Sequence, residues 1–276
     1  MSLTLPGRVG DILVDIRTPS ERADGPAVVI LHGFKGFKDW GMFPVFAERL
    51  AGAGYRAVSF NTSGSGVDGE GRFTRLEAFR RNSFSAELAD LLTVIKALAS
   101  GKLGGPAPSA IGVVGHSRGG GIAILAARES PDIKALVTWS AISTVRRWTQ
   151  GELARWQRDG FLVVLNTRTG EQLPLGPETL HDVEKHAERR LNIEAAAALV
   201  QVPWLLLHGA ADESVPLSEA EVLAAAAPQA TTSVQFIEGA GHTFGAVHPF
   251  AGMTPALERC FEVTLAWLRT KLPLTA

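Results

Sequence analysis

The residues 110–121, Ala-Ile-Gly-Val-Val-Gly-His-Ser-Arg-Gly-Gly-Gly, place one serine in a setting that can make it a nucleophile. A β-branched run (Ile111, Val113, Val114) leads into Gly115-His116-Ser117-Arg118-Gly119, and an apolar helical stretch, 122–127, follows. This is the G-x-S-x-G elbow in its context of strand, sharp turn and helix. Small residues must flank such a serine, because a Cβ there would clash with the neighbouring strand or helix. The competing reading is an ordinary glycine-rich turn, and the rest of the chain decides between the two.

Serine is a weak nucleophile at neutral pH and needs a histidine base, which in turn needs a carboxylate to hold its tautomer. The acid is expected at Asp212, in the loop Ala-Ala-Asp-Glu-Ser-Val-Pro after the apolar run 203–209, with Glu213 as its rival. The base is expected at His242, in Gly-Ala-Gly-His-Thr-Phe after the strand-like 233–238, where glycines permit close approach. Of seven histidines, only His248 competes in that region. His32 and His208 precede glycines at strand ends and are expected to bond locally, while His181 and His186 lie in a polar helical stretch. Two backbone N–H groups should stabilise a developing oxyanion: that of Arg118, and that of Phe34 in Leu-His-Gly-Phe-Lys-Gly. Lys35 and Lys38 in the same region could meet an acidic substrate group, but are expected to be solvated.

Positioning these groups requires a particular succession of elements. Strand-like and helix-like segments alternate, which argues for a mainly parallel sheet covered by helices. Strands are predicted at 9–17 (antiparallel), 27–31, 57–60, 135–139, 204–208 and 233–237. Helices are predicted at 43–53, 83–98, 218–227 and 257–272, the second with an apolar face of Leu88, Leu91, Leu92, Ile95 and Leu98. Between Trp139 and Pro203 lie roughly sixty residues where a crossover needs about a dozen. This insertion, with Trp148, Trp156 and a hairpin from Phe161 turning through 166–170, is expected to form a cap. The Ala-rich tracts at 195–198 and 224–227 read as helix formers.

Composition narrows the class. Hydrophobic residues make up 46% and charged residues 20% of the 276, enough apolar surface for a substantial core in one large α/β domain or two small ones. A net charge of −1 without a basic stripe argues against nucleic acid as a partner. No signal-like or membrane-spanning apolar run occurs, so a soluble cytoplasmic protein is expected. The single cysteine, Cys260, reads as a helix-packing residue.

With loop, elbow, acid and histidine in this order, the chain resembles the α/β-hydrolase superfamily from about residue 10 onward. Gly-His-Ser-Arg-Gly-Gly-Gly, His-Gly-Phe-Lys-Gly-Phe-Lys-Asp-Trp and Gly-Ala-Gly-His-Thr-Phe look most like its bacterial serine esterase and dienelactone-hydrolase-like branch. The resemblance implies one domain, 1–276, with a mostly parallel eight-stranded sheet, helices on both faces, and a cap at about 140–202 after the sixth strand. It also implies the triad Ser117, Asp212 and His242, and no cofactor or metal. Dienelactone hydrolases carry cysteine where this chain has Ser117, which argues against that activity. The absence of a preceding propeller argues against a true prolyl oligopeptidase, and serine where dehalogenases have aspartate argues against dehalogenation. The expected partner is a small-molecule ester, without nucleic acid or membrane, in a chain that could also pair as a homodimer. Carboxylic ester hydrolysis is the expected activity. Peptide or amide cleavage and thioester hydrolysis use the same groups, and a ligand-binding protein could be built on the same scaffold. Phe34, Trp40, Trp148, Trp156 and Phe161 are expected to line the substrate pocket.

Overall fold

The computed structural model describes residues 1–19, 25–166 and 170–274. Its main sheet is built from β1 (Ser2–Pro6), β2 (Asp11–Arg17), β3 (Ala27–Leu31), β4 (Arg56–Asn61), β5 (Ile111–His116), β6 (Ile133–Trp139), then β9 (Trp204–Gly209) and β10 (Thr232–Ile237). The spatial order is β1-β2-β4-β3-β5-β6-β9-β10. The pairs β1–β2 and β2–β4 are antiparallel and all others are parallel. Residue patterning explains this arrangement. The central strands are apolar and buried on both faces, as parallel strands must be.

Alternation splits the central strands between two cores. In β3, Val28 and Ile30 face the layer containing α1 (Met42–Gly52) and α9 (Pro255–Lys271). Val29 and Leu31 face the layer of α3 (Phe84–Ala99), α4 (Arg118–Glu129) and α8 (Leu217–Ala226). The α3 helix starts where its sequence predicts, because the Ser83 hydroxyl accepts from Ala86 N–H at 3.1 Å and caps the first turn. Cys260 is fully buried in α9. No helix among the described residues is long and apolar enough to cross a membrane.

The sheet topology places the site. After β3 the chain goes to β4 on one side of it, and then to β5 on the other. The loops leaving the C-terminal ends of β3 and β5 therefore meet at a topological switch point, where open α/β sheets bind ligands.

The stretch between β6 and β9 holds α5 (Gln150–Asp159), the hairpin β7 (Leu162–Leu165) and β8 (Gln172–Leu175), α6 (Pro177–His186) and α7 (Ile193–Ala197). Residues 167–169 of the expected hairpin turn lie outside the described residues. A small third core of Trp156, Leu162, Leu173, Leu175 and Leu180 holds the cap together. It also takes Phe79 from α2 (Leu76–Arg80), an element too short to register as periodicity. Gly176 N–H donates to Arg80 O at 2.7 Å, tying cap to body. The α7 helix belongs to the body, with Ile193, Ala196 and Ala197 in the sheet core.

Candidate active site

Ser117 joins β5 to α4 in a backbone conformation that side chains rarely adopt, φ 57° and ψ −122°. Close packing holds it there. Ser117 N–H donates to Trp139 O at 2.8 Å, and Ser117 O accepts from Gly120 N–H at 3.0 Å and Ile142 N–H at 3.2 Å. Three glycines open α4 although glycine is a poor helix former. A Cβ on Gly119 would overlap the His32 carbonyl, and one on Gly120 would lie 2.5 Å from Ala141 Cβ. Tertiary crowding overrides propensity, which is why periodicity finds this helix only from residue 122.

The loops after β9 and β10 bring the predicted acid and base to the serine. His242 Nε2 lies 3.0 Å from Ser117 Oγ, and His242 Nδ1 lies 2.8 Å from Asp212 Oδ2. Asp212 is buried, and its Oδ1 accepts N–H bonds from Ser214 and Val215, both at 2.9 Å. Burial alone would raise this carboxyl. The hydrogen bonds from His242 and Val215 outweigh it and bring the pKa down to about 2. An ionised Asp212 accepts from Nδ1–H, which leaves Nε2 free to accept from the serine hydroxyl. The rival Glu213 is exposed. The rival His248 accepts from Gly41 N–H at 3.1 Å and packs between Phe37 and Trp40.

The loop after β3 crosses directly over the elbow, since a Cβ on Gly33 would lie 2.9 Å from Ser117 Cβ. Phe34 follows at once. Buried His32 braces this loop, with Nδ1 donating to Gly33 O at 2.8 Å and Nε2 accepting from Thr62 N–H at 3.4 Å. Arg118 N–H opens α4, where first-turn donors have no intrahelical acceptor. His208 also bonds locally, to Val215 O at 2.9 Å. His181 is exposed on α6.

A cleft of about 400 Å³ opens over Ser117 and His242. Phe34 and Trp148 line it as expected, together with Phe84, Arg118, Arg147 and Glu152. Three expected pocket residues do not. Trp156 faces the cap interior, 4.9 Å from the Trp148 ring, and is fully buried. Phe161 precedes β7, where alternation turns Leu162 inward, so Phe161 points outward and is exposed. Trp40 packs against Phe43 and His248 and borders two small crevices outside the cleft, one of about 30 Å³ beside Ser117 and one of about 60 Å³ beside Phe73. Lys38 corrects a further expectation: it is buried, paired with Asp39 and, at 2.6 Å, with Asp15. Lys35 lines the cleft and donates to Leu165 O at 3.0 Å.

Two residues of the elbow motif have roles in the site that sequence reasoning passed over. His116 Nε2 donates to the main-chain carbonyl of His242 at 2.9 Å. The Arg118 side chain lies in the cleft floor, against the faces of Phe84 and Phe34. Their place in the elbow is a signal only of proximity to Ser117, not of these contacts.

Comparison with known proteins agrees with this architecture. A model of the alpha/beta hydrolase fold matches residues 26–160. The chain is 25% identical over 225 residues to the 2,6-dihydropseudooxynicotine hydrolase of Paenarthrobacter nicotinovorans, covering 78% of this chain and 54% of that protein. It spans about half the length of the curated relatives it matches. Est1E from Butyrivibrio proteoclasticus superposes with a TM-score of 0.71 at 17% identity, covering 98% of each chain. The esterase domain of a Rhodothermus marinus protein superposes with a TM-score of 0.67 at 19% identity, covering 99% of this chain and 98% of that one.

Proposed function

We propose that this chain, which has the α/β-hydrolase fold, is a serine hydrolase that cleaves carboxylic esters through an acyl-enzyme. One observation carries this reading: the hydrogen-bonded series Ser117–His242–Asp212 at the floor of an open cleft. The hydrolase and esterase names among its neighbours support it.

In the proposed reaction Ser117 Oγ attacks the ester carbonyl carbon while His242 Nε2 takes the hydroxyl proton. Asp212 stabilises the imidazolium that forms. The N–H groups of Phe34 and Arg118 hold the tetrahedral oxyanion, each contributing about 2.7–4 kcal/mol in comparable sites. Collapse expels the alkoxide, which His242 protonates, and leaves an ester on Ser117. Water, deprotonated by His242, then attacks that ester and releases the acid. Phe34 and Trp148 offer apolar contact to the substrate beside the reacting carbonyl.

The test is a fluorophosphonate probe with peptide mapping, beside p-nitrophenyl esters of graded acyl length, aminoacyl anilides and an acyl thioester. The expected result is labelling at Ser117 and ester turnover that Ser117→Ala abolishes. Anilide or thioester turnover well above every ester would reassign the leaving group. No labelling of folded protein would favour a ligand-binding protein on this scaffold.

A further inference from the structure

We propose that the Arg118 side chain is a carboxylate-recognising group, and that the esters this cleft takes carry a carboxylate beyond the scissile bond. The inference rests on the hydrolase reading above and names its substrate class.

Arg118 is 5% exposed, yet it lines the cleft over Ser117. Its Nε and Nη2 are enclosed with no hydrogen-bond acceptor among the described residues. A guanidinium has five N–H donors, and burying such donors without acceptors is costly. The nearest carboxylate, Glu87, stands 3.5 Å from Nε. Glu87 accepts from Asn82 Nδ2 at 2.7 Å, and burial pushes its carboxyl up, towards the neutral acid, against the pull of Arg118. Asp182 also supports the cation, but its carboxylate accepts from Ser85 N–H at 2.8 Å, so neither carboxylate hydrogen-bonds Nε or Nη2.

What holds Arg118 is aromatic. Its Cζ lies 3.7 Å from the Phe84 ring centroid and 4.7 Å from that of Phe34. Stacking fixes the plane of the fork without occupying its in-plane donors. A carboxylate is the ligand whose charge and acceptor oxygens suit the guanidinium edge that lines the cleft. The surroundings agree in sign. Lys35, Arg118 and Arg147 line the cleft against one lining carboxylate, Glu152. Arg147 is engaged by Glu219, and Lys35 bonds a main-chain carbonyl, whereas Nε and Nη2 of Arg118 have no hydrogen-bond partner among the described residues.

The experiment compares matched esters differing only in a carboxylate. Acyl-side pairs are p-nitrophenyl hemiglutarate and p-nitrophenyl valerate; alcohol-side pairs are 4-butyryloxybenzoate and phenyl butyrate. The expected result is a kcat/KM preference for the anionic member of at least one pair, of about 10–100-fold, the range for a charge-assisted hydrogen bond. Arg118→Met should collapse that ratio, and Arg118→Lys should restore part of it. Preference for neither anionic member, with fluorophosphonate still labelling Ser117, overturns the proposal while leaving the hydrolase reading intact. Should labelling fail, binding decides independently. Ser117→Ala protein titrated calorimetrically with monoethyl and diethyl glutarate should bind the monoanion more tightly, and equal or absent binding overturns the proposal.

Discussion

The imidazole of His116 donates from Nε2 to the main-chain carbonyl of His242, 2.9 Å away and 126 residues further along the chain. The residue before Ser117 therefore holds the loop that carries His242, the proposed base. Its ring also lies 4.8 Å from that of His242. Replacing His116 with Ala removes this brace but no group that would touch substrate. We expect kcat to fall about 10–100-fold with little change in KM, since small misplacements of a base cost rates of that order. Steady-state kinetics on a p-nitrophenyl ester, with the rate of fluorophosphonate labelling, checks it. An unchanged labelling rate would show that His116 only fills space.

Removal of the reacting groups should be non-additive. Ser117→Ala is expected to lower kcat by about 10⁶, and Asp212→Asn by about 10⁴, because asparagine favours the wrong imidazole tautomer. The double variant should be no slower than Ser117→Ala alone. Single-turnover assays on purified, folded variants measure all three.

Crowding at the elbow gives a test of the loop over it. A Cβ at position 119 would overlap His32 O and lie 2.7 Å from Leu31 O, and backbone cannot swing aside as a side chain does. Gly119→Ala should therefore lower stability by about 1–3 kcal/mol and push Phe34 N–H away from Ser117. Urea midpoints should drop together with activity. A variant with normal activity would mean that the loop yields without cost.

Acid should destabilise the fold in two windows. Burial disfavours the charged form of His32 and lowers its pKa from 6.5 to about 4. Below pH 6.5 the unfolded chain binds a proton that the folded chain does not, so stability falls as pH drops from 6.5 to 4, by up to about 3 kcal/mol. His208, also depressed by burial, acts in the same sense. Asp212, lowered from 3.8 to about 2, contributes stability above pH 4, and about 2 kcal/mol of it is lost as pH falls from 4 towards 2. Urea titrations between pH 7.5 and 4.5 should show a shallower slope for His32→Gln than for the parent. An equal slope would argue that His32 charges freely in the folded state.

The cap should loosen without the sheet. Trp156 is fully buried in a core separate from the two that flank the sheet. Trp156→Ala should cost about 3–5 kcal/mol there. Hydrogen exchange should quicken in α5, β7, β8 and α6, while β3 and β5 keep their protection. Uniform loss of protection would mean that cap and body unfold as one unit.

Local sterics made much of this molecule legible from its residues. The strands 27–31 and 204–208 and the capped helix from Ser83 follow from patterns within a few residues of themselves. So does the elbow, because Gly115, Ser117 and Gly119 answer to one tight turn. The serine, acid and histidine were identifiable by their order after successive strands, which the topology of a parallel sheet turns into proximity. Contacts set by how elements pack were not readable. A tryptophan at 148 and one at 156 look alike in sequence, yet one lines the cleft and the other fills the cap core, since the rotation of α5 and the seat of α2 decide it. Lys38 looks solvated until β2 brings Asp15 to it. Arg118 and His116 flank the serine in the motif, but only the aromatic pair Phe34 and Phe84 and the distant His242 carbonyl gave their side chains a place. Sequence determined which groups could react, through short-range sterics and chain order; tertiary packing decided what surrounds them, because burial and partners are properties of elements far apart in the chain.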